Sequence, residues 1–167
     1  MVDRHVVKML VESAQLLSTA HRLLDGIQVT VNVEKKGKLR KKKVWKLNDS
    51  RDDILYSATH INHPSAIWAR TSVENYLWLV DHLFALGDEY TYRYGKIHLT
   101  MKKLGYEIQS PPYSLKEWDM TLMPSCMDKE YIISDDPIVN YRSYYVKGKA
   151  HLKKYTKRNP PYWWPDF

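Results

Sequence analysis

A mostly α-helical domain with one inserted basic β-hairpin is the fold class this chain predicts. Three observations carry it. Apolar residues recur at helical spacing over three long stretches. One segment alternates apolar and polar residues, the period of a strand. Positive charge is gathered in that same segment rather than spread evenly. The 167 residues, 44% of them hydrophobic, fit a single domain over 1–167 with a core of its own.

The elements follow in order. Val6, Val7, Leu10, Ala14, Leu17 and Leu24 predict an amphipathic helix over residues 3–24, with Asp3 capping its start and Gly26 ending it. Residues 27–47 predict a β-hairpin arm: Ile27, Val29, Val31 and Val33 alternate with polar residues, Lys35-Lys36-Gly37 makes the turn, and Val44, Trp45 and Leu47 close the return strand. A short helix is expected over 52–59. Pro64 separates the His60–His63 connector from the next helix. Thr71 and Glu74 have capping-box spacing for a long helix whose stripe is Tyr76, Leu77, Leu79, Val80, Leu83, Phe84 and Leu86, ending near Tyr94 at Gly95. A short helix over 98–104 and an irregular stretch over 105–134 follow, punctuated by Pro111, Pro112 and Pro124. Asp135-Asp136-Pro137 starts a last helix reaching about Tyr155, loosened at Gly148. The tail 156–167 is aromatic, and its tryptophans are expected to dock on the body or on a partner.

Lysine and arginine number 26 against 19 acids, a net charge of +7, and such an excess attracts polyanions, phosphate backbones first among them. The hairpin carries Lys35, Lys36, Lys38, Arg40, Lys41, Lys42, Lys43 and Lys46, opposed only by Glu34. A ribbon of that kind lies along phosphates and gives affinity without sequence specificity; the alternative is a lysine-protected edge. In the last helix Tyr141, Tyr144 and Tyr145 interleave with Arg142, Lys147, Lys149, Lys153 and Lys154, which suits stacking and phosphate pairing, or tyrosine core packing with lysines outside. Double-stranded DNA is the expected partner. No apolar run approaches the roughly 20 residues that span a bilayer, and no signal-peptide core opens the chain, so no membrane association is expected. Cys126 is the one cysteine, so no internal disulfide forms and a reducing cytoplasmic compartment is expected.

His5, Lys8 and Glu12 share one face of the first helix, at i, i+3 and i+7. A lysine beside a carboxylate is the pairing that imine chemistry needs, and it is equally a common surface ion pair. A second polar set runs through His21, His60, His63, Trp68, Arg70, Asn75, Glu89 and Arg93 and outlines a possible pocket; Glu89–Arg93 also reads as an i, i+4 ion pair. The histidines match no metal-ligand spacing, and P-loop, Gly-x-Gly-x-x-Gly and Gly-x-Ser-x-Gly motifs are missing, so neither metal nor cofactor is expected.

Asp3-Arg4-His5-Val6-Val7-Lys8-Met9-Leu10-Val11-Glu12 resembles the first-helix motif of the phage-type pyrimidine-dimer DNA glycosylases, the endonuclease V-like family, in which Asp-x-His opens the helix and the catalytic Glu follows the His by seven residues. Tyr144–Ala150 is similar to that family's aromatic C-terminal segment. More of the chain resembles a group of phage proteins sharing the patterns found here at His5–Met9, Asn62–Arg70 and Glu89–Lys96, a likeness that brings no activity with it. If phage-encoded, the chain would act in the host cytoplasm.

The glycosylase resemblance implies an enzyme that everts a nucleotide and attacks the sugar C1′ with an amine, then cleaves the strand by β-elimination. Glu12 would then shuttle protons and His5 would support the site. The family's amine is the α-amine behind the initiator Met. Here that amine would belong to Val2 after loss of Met1, with Lys8 as the substitute, and Val11 and Gln15 stand where the family has arginines. Three functions remain open on the sequence: a glycosylase/abasic-site lyase, a non-enzymatic nucleic-acid-binding protein, and a nucleotide- or DNA-modifying enzyme with its site among His60–Arg93.

Overall fold

The computed structural model describes residues 1–35 and 37–164; Lys36 of the predicted turn and the end of the tail, 165–167, lie outside the described residues. Helix is the dominant element, joined to one two-stranded hairpin. The order is α1 (Asp3–Asp25), β1 (Ile27–Lys35), β2 (Lys38–Lys46), α2 (Arg51–Ile54), α3 (Pro64–Ala69), α4 (Val73–Tyr94), α5 (Leu99–Leu104) and α6 (Pro137–Gly148), with single 3-10 turns at Lys129–Tyr131 and Ala150–Leu152.

The core lies between α1 and α4. Leu10, Ala14 and Leu17 of α1 are wholly buried against Tyr76, Leu79, Val80 and Leu83 of α4, and Leu104 and Ile108 close the far side. Burying each such side chain contributes about 1.5–3 kcal/mol. Val6, Leu10, Ala14 and Leu17 of the predicted α1 stripe are fully buried, Val7 is instead exposed, and Val2, just ahead of the helix, is fully buried. Tyr76 brings a hydroxyl into this core, and it is satisfied twice, donating to the Ile108 carbonyl (2.9 Å) and pairing with His21 Nε2 (2.8 Å).

Several helix ends depart from the sequence reading, for local reasons. Val2, not Asp3, is the N-cap of α1, and no side chain caps it. Asp3 is instead drawn inward, where Arg93 and Thr156 bind its carboxylate. At α4 the cap is Ser72, accepting from the Asn75 amide at 3.2 Å, while Thr71 donates to the Ile67 carbonyl and Glu74 accepts from the Met120 amide. The helix expected over 52–59 stops at Ile54, because the following backbone serves Arg22. The last helix ends at Gly148 rather than Tyr155. Gly95 takes the left-handed conformation (φ 68°) that ends α4. Gly26 does not; a Cβ there would lie 2.4 Å from the Arg22 carbonyl oxygen, so close packing requires the glycine.

The hairpin pairs Ile27 with Lys46 and, toward the tip, Val33 with Arg40 and Lys35 with Lys38. Its root is fastened by Arg22, which is buried and donates five hydrogen bonds, to the carbonyls of Trp45, Asp52, Leu55 and Tyr56 and to Asp52 Oδ1. Asp52 also accepts from the Leu47 amide (2.9 Å) and from Lys46 (3.0 Å). Burial pushes the Asp52 carboxyl upward, but the Leu47 amide, Arg22 and Lys46 outweigh it and bring its pKa to about 2. The tail docks as expected as far as it is described: Trp164 is buried, edge-on to Tyr145 and Tyr155.

A candidate site on the first helix

The three candidate catalytic residues of α1 meet in one cavity of about 430 Å³. His5, Lys8 and Glu12 stand on its α1 wall, Trp78 and His82 of α4 beside them, and Tyr144 and Tyr145 of α6, with Lys149 just past its end, close another side. His63, Ser65 and Trp68 of α3 and its cap, with Met123 and Cys126 from the irregular stretch, also line it, as do Met1, Met9 and Leu16. Sequence spacing places the α1 residues together because a turn of helix separates each from the next. Helix α3 aims its residues there because Pro64 occupies its first turn and His63 caps it, accepting from the Ser65 amide at 3.2 Å.

The walls are aromatic. Trp78 and His82, one turn apart, lie nearly parallel (10°) with centroids 5.3 Å apart, and Trp68 meets Trp78 edge-on at 5.7 Å. Trp68 is fixed by donating its indole N–H to the Thr121 carbonyl (3.0 Å). Trp78 is 38% exposed, which leaves ring surface for a ligand to stack on. His5 Nδ1 and the Tyr145 hydroxyl are 2.6 Å apart with their rings edge-on. Burial, reinforced by Lys8 and Lys149, pulls the His5 pKa below its usual value, and burial does the same to His82, so both are neutral at pH 7. Lys8 Nζ and Glu12 Oε1 form an ion pair of 3.1 Å at the rim, their side chains 60% and 35% exposed. Cys126 Sγ lies 3.3 Å from Ser65 Oγ, and its amide donates to the Tyr141 hydroxyl at 3.4 Å.

The second polar set divides. His63 and Trp68 reach the cavity; His21, His60, Arg70, Asn75, Glu89 and Arg93 are not among its lining residues. Most of these hold the fold. Asn75 is fully buried, donating to the Trp68 carbonyl (2.9 Å) and Thr121 Oγ1 (2.7 Å) and accepting from the Thr121 amide (2.9 Å). Arg93 bridges Asp3 (2.7 Å) and Glu89 (2.6 Å), and Glu89 also receives Arg158. His21 sits between Tyr76 and Arg51 and is kept neutral, with burial and then the Arg51 charge lowering its pKa to about 4. Arg70 donates to the Ile61 carbonyl (2.9 Å), and its Nη1 is buried without a hydrogen-bond partner. His60 is exposed at positive φ (51°), its ring 6.5 Å from that of His63. Among the described residues no group of three or more His, Cys, Asp or Glu side chains converges as a metal site would.

Val2 has no side-chain access to the cavity, being wholly buried at the α1 N-cap. The predicted phosphate-binding cations split as well. Lys38, Arg40, Lys41, Lys42 and Lys43 are exposed along the ribbon, Lys35 pairs with Lys38 through the backbone, and Lys46 is exposed but tied to Asp52. In and after α6, Arg142 lies over Trp163 (5.5 Å), Lys149 over Tyr144 (4.8 Å) and Lys153 over Trp164 (5.8 Å), while Lys147 is exposed. These rings therefore serve the body's own cations. Sequence reasoning missed Cys126 and Ser65, which no spacing ties to α1; the i, i+4 spacing of Trp78 and His82 was a usable signal.

The geometry thus defines a helix-dominated protein with a projecting cationic ribbon and an aromatic cavity whose rim bears an amine–carboxylate pair. Comparisons with protein-family models, curated proteins and solved structures give no match to this chain. Among the described residues, no helix is long and apolar enough to cross a membrane.

Proposed function

We propose that the chain is a DNA glycosylase/abasic-site lyase acting on duplex DNA in the cytoplasm, with an everted nucleotide entering the α1–α4–α6 cavity. One observation carries this reading: Lys8, Glu12 and His5 stand together on the wall of a cavity that is also lined by Trp68, Trp78, His82, Tyr144 and Tyr145. About 430 Å³ falls in the range of roughly 300–1,000 Å³ typical of small-ligand sites, and Trp78 offers a ring face for a base. The resemblance of Asp3–Glu12 to the pyrimidine-dimer glycosylases supports the same chemistry, with Val11 and Gln15 replacing that family's arginines.

In the proposed reaction Glu12 takes a proton from Lys8 Nζ across their 3.1 Å contact. The freed Nζ lone pair adds to C1′ of the abasic aldehyde and water leaves, giving a protonated imine. A base then removes the C2′ proton, and the electron pair forms the C2′–C3′ double bond as the 3′-phosphate departs. Glu12 is the carboxylate placed to take and return these protons, and neutral His5 is its neighbour on the face.

The test is borohydride trapping on a duplex carrying an abasic site. Wild type is expected to give a covalent adduct, Lys8→Ala to lose it, and Glu12→Gln to lose strand cleavage. An adduct surviving in Lys8→Ala would move the nucleophile to an α-amine. The exposure of Lys8 (60%) favours a second reading, in which the pair is a plain surface ion pair and the protein binds nucleic acid without reacting. That reading gains if the DNA is bound and no adduct forms.

A further inference from the structure

The two faces of the hairpin differ in chemistry. Directly opposed residues of an antiparallel pair share a face. One face therefore carries Val29, Val31 and Val33 opposite Val44, Lys42 and Arg40. Those valines are half-buried although they lie on a projecting ribbon, as expected where long lysine and arginine stems cover them. The other face carries Gln28, Thr30 and Asn32 opposite Trp45, Lys43 and Lys41, and the three polar side chains are exposed. No hydrogen bond engages them among the described residues.

We infer that this ribbon enters the major groove of B-form DNA with the Gln28–Thr30–Asn32 face toward the base edges. The inference rests on duplex DNA being the partner, and not on the chemistry at Lys8. Dimensions fit: nine residues at about 3.3 Å each make a ribbon about 30 Å long. Its two strands lie about 4.8 Å apart, and a two-stranded ribbon is an element that the groove, about 12 Å wide, admits. Charge is complementary, because five exposed cations at Lys38, Arg40, Lys41, Lys42 and Lys43 face Glu34 as the ribbon's single acid. Amide side chains are the groups that pair with adenine N6 and N7 in that groove, so Gln28 and Asn32 supply sequence preference where the lysines supply affinity.

The experiment uses the full-length protein, an intact 20-base-pair DNA duplex and an RNA duplex of matching sequence, with binding read by fluorescence anisotropy from 50 to 200 mM salt. The double variant Lys38→Gln, Lys42→Gln, on the face turned away from the base edges, is expected to lower the salt slope by about 1.8, from about 0.9 per lost phosphate contact. The RNA duplex, whose major groove is deep and narrow, is expected to bind at least tenfold more weakly. Dimethyl sulfate footprinting is expected to show protection at guanine N7, in the major groove. Asn32→Ala is expected to keep the salt slope and relax the footprint's sequence preference. Protection confined to adenine N3, equal affinity for RNA, or an unchanged slope in the double variant would overturn the assignment. Circular dichroism of each variant verifies the fold, and exposed ribbon sites give little reason for it to fail. A major-groove footprint with no borohydride adduct leaves the ribbon assignment standing and removes the lyase; an adduct with unchanged binding in the lysine variant does the reverse.

Discussion

Replacing Arg93 by methionine separates a catalytic role from a structural one. Its guanidinium is 2% exposed and holds Asp3 Oδ1 at 2.7 Å and Glu89 Oε1 at 2.6 Å. Asp3 opens α1, so this cluster fixes the turn that carries His5 and Lys8 against the end of α4. Methionine matches much of the volume but leaves two carboxylates facing each other with one cation, Arg158, at the rim. Breaking a buried ion pair by removing one partner costs about 3–5 kcal/mol. For a chain of this size that is a fall in Tm of about 10 °C. Thermal unfolding followed by circular dichroism measures it. The double variant Asp3→Asn, Arg93→Met should recover part of the loss, because it removes one of the stranded charges. A Tm for Arg93→Met equal to wild type, with loss of any DNA-dependent activity, would refute this account and return Arg93 to the chemistry.

Three further perturbations test other parts of the structure. His21 has a folded pKa of about 4 against about 6.5 when unfolded, so the unfolded chain takes up the proton first on acidification and stability falls from about pH 6.5 to about pH 4. The fall is about 3 kcal/mol, and urea titrations of His21→Gln should show it flattened; an unchanged slope would count against the buried neutral imidazole. Asp52→Asn should loosen the hairpin root, with faster hydrogen exchange at the Leu47 amide, and in wild type the Asp52 contribution is complete above about pH 4 and is lost as the pH falls through about 2. Retained protection at Leu47 in that variant would contradict the anchoring role. Tyr145→Phe removes the 2.6 Å partner of His5 Nδ1 and should change the ¹⁵N shifts that report its tautomer; identical shifts would show that the contact does not orient the ring.

The parts of the molecule that the sequence foreshadows are those governed by local spacing. His5, Lys8 and Glu12 meet because helical periodicity alone puts them on one face, and Glu89–Arg93 pair for the same reason. The hairpin is readable from its alternation and its glycine turn. What spacing does not convey is a partner supplied by distant chain. Asp3 looks like a cap, but 90 residues away Arg93 competes for it and wins. Arg22 stands near a helix end where local spacing names no partner, and its carbonyl acceptors arrive from two later segments. Asn75 and His21 carry the polar chemistry of a pocket, and tertiary structure spends it on Thr121, Trp68, Tyr76 and Arg51. The third wall of the cavity comes from Met123 and Cys126, in a stretch with no periodicity to read.

The hairpin leaves and re-enters the body at one point, since Ile27 is paired with Lys46 and the Gly26 backbone lies against the Lys46 carbonyl. To the helices, the segment between them has almost no span. Excising it would take the Trp45 carbonyl from buried Arg22, which would keep its acceptors at Asp52, Leu55 and Tyr56. No residue of the hairpin lines the cavity, so changes in the ribbon's length or charge leave the cavity's lining residues as they are.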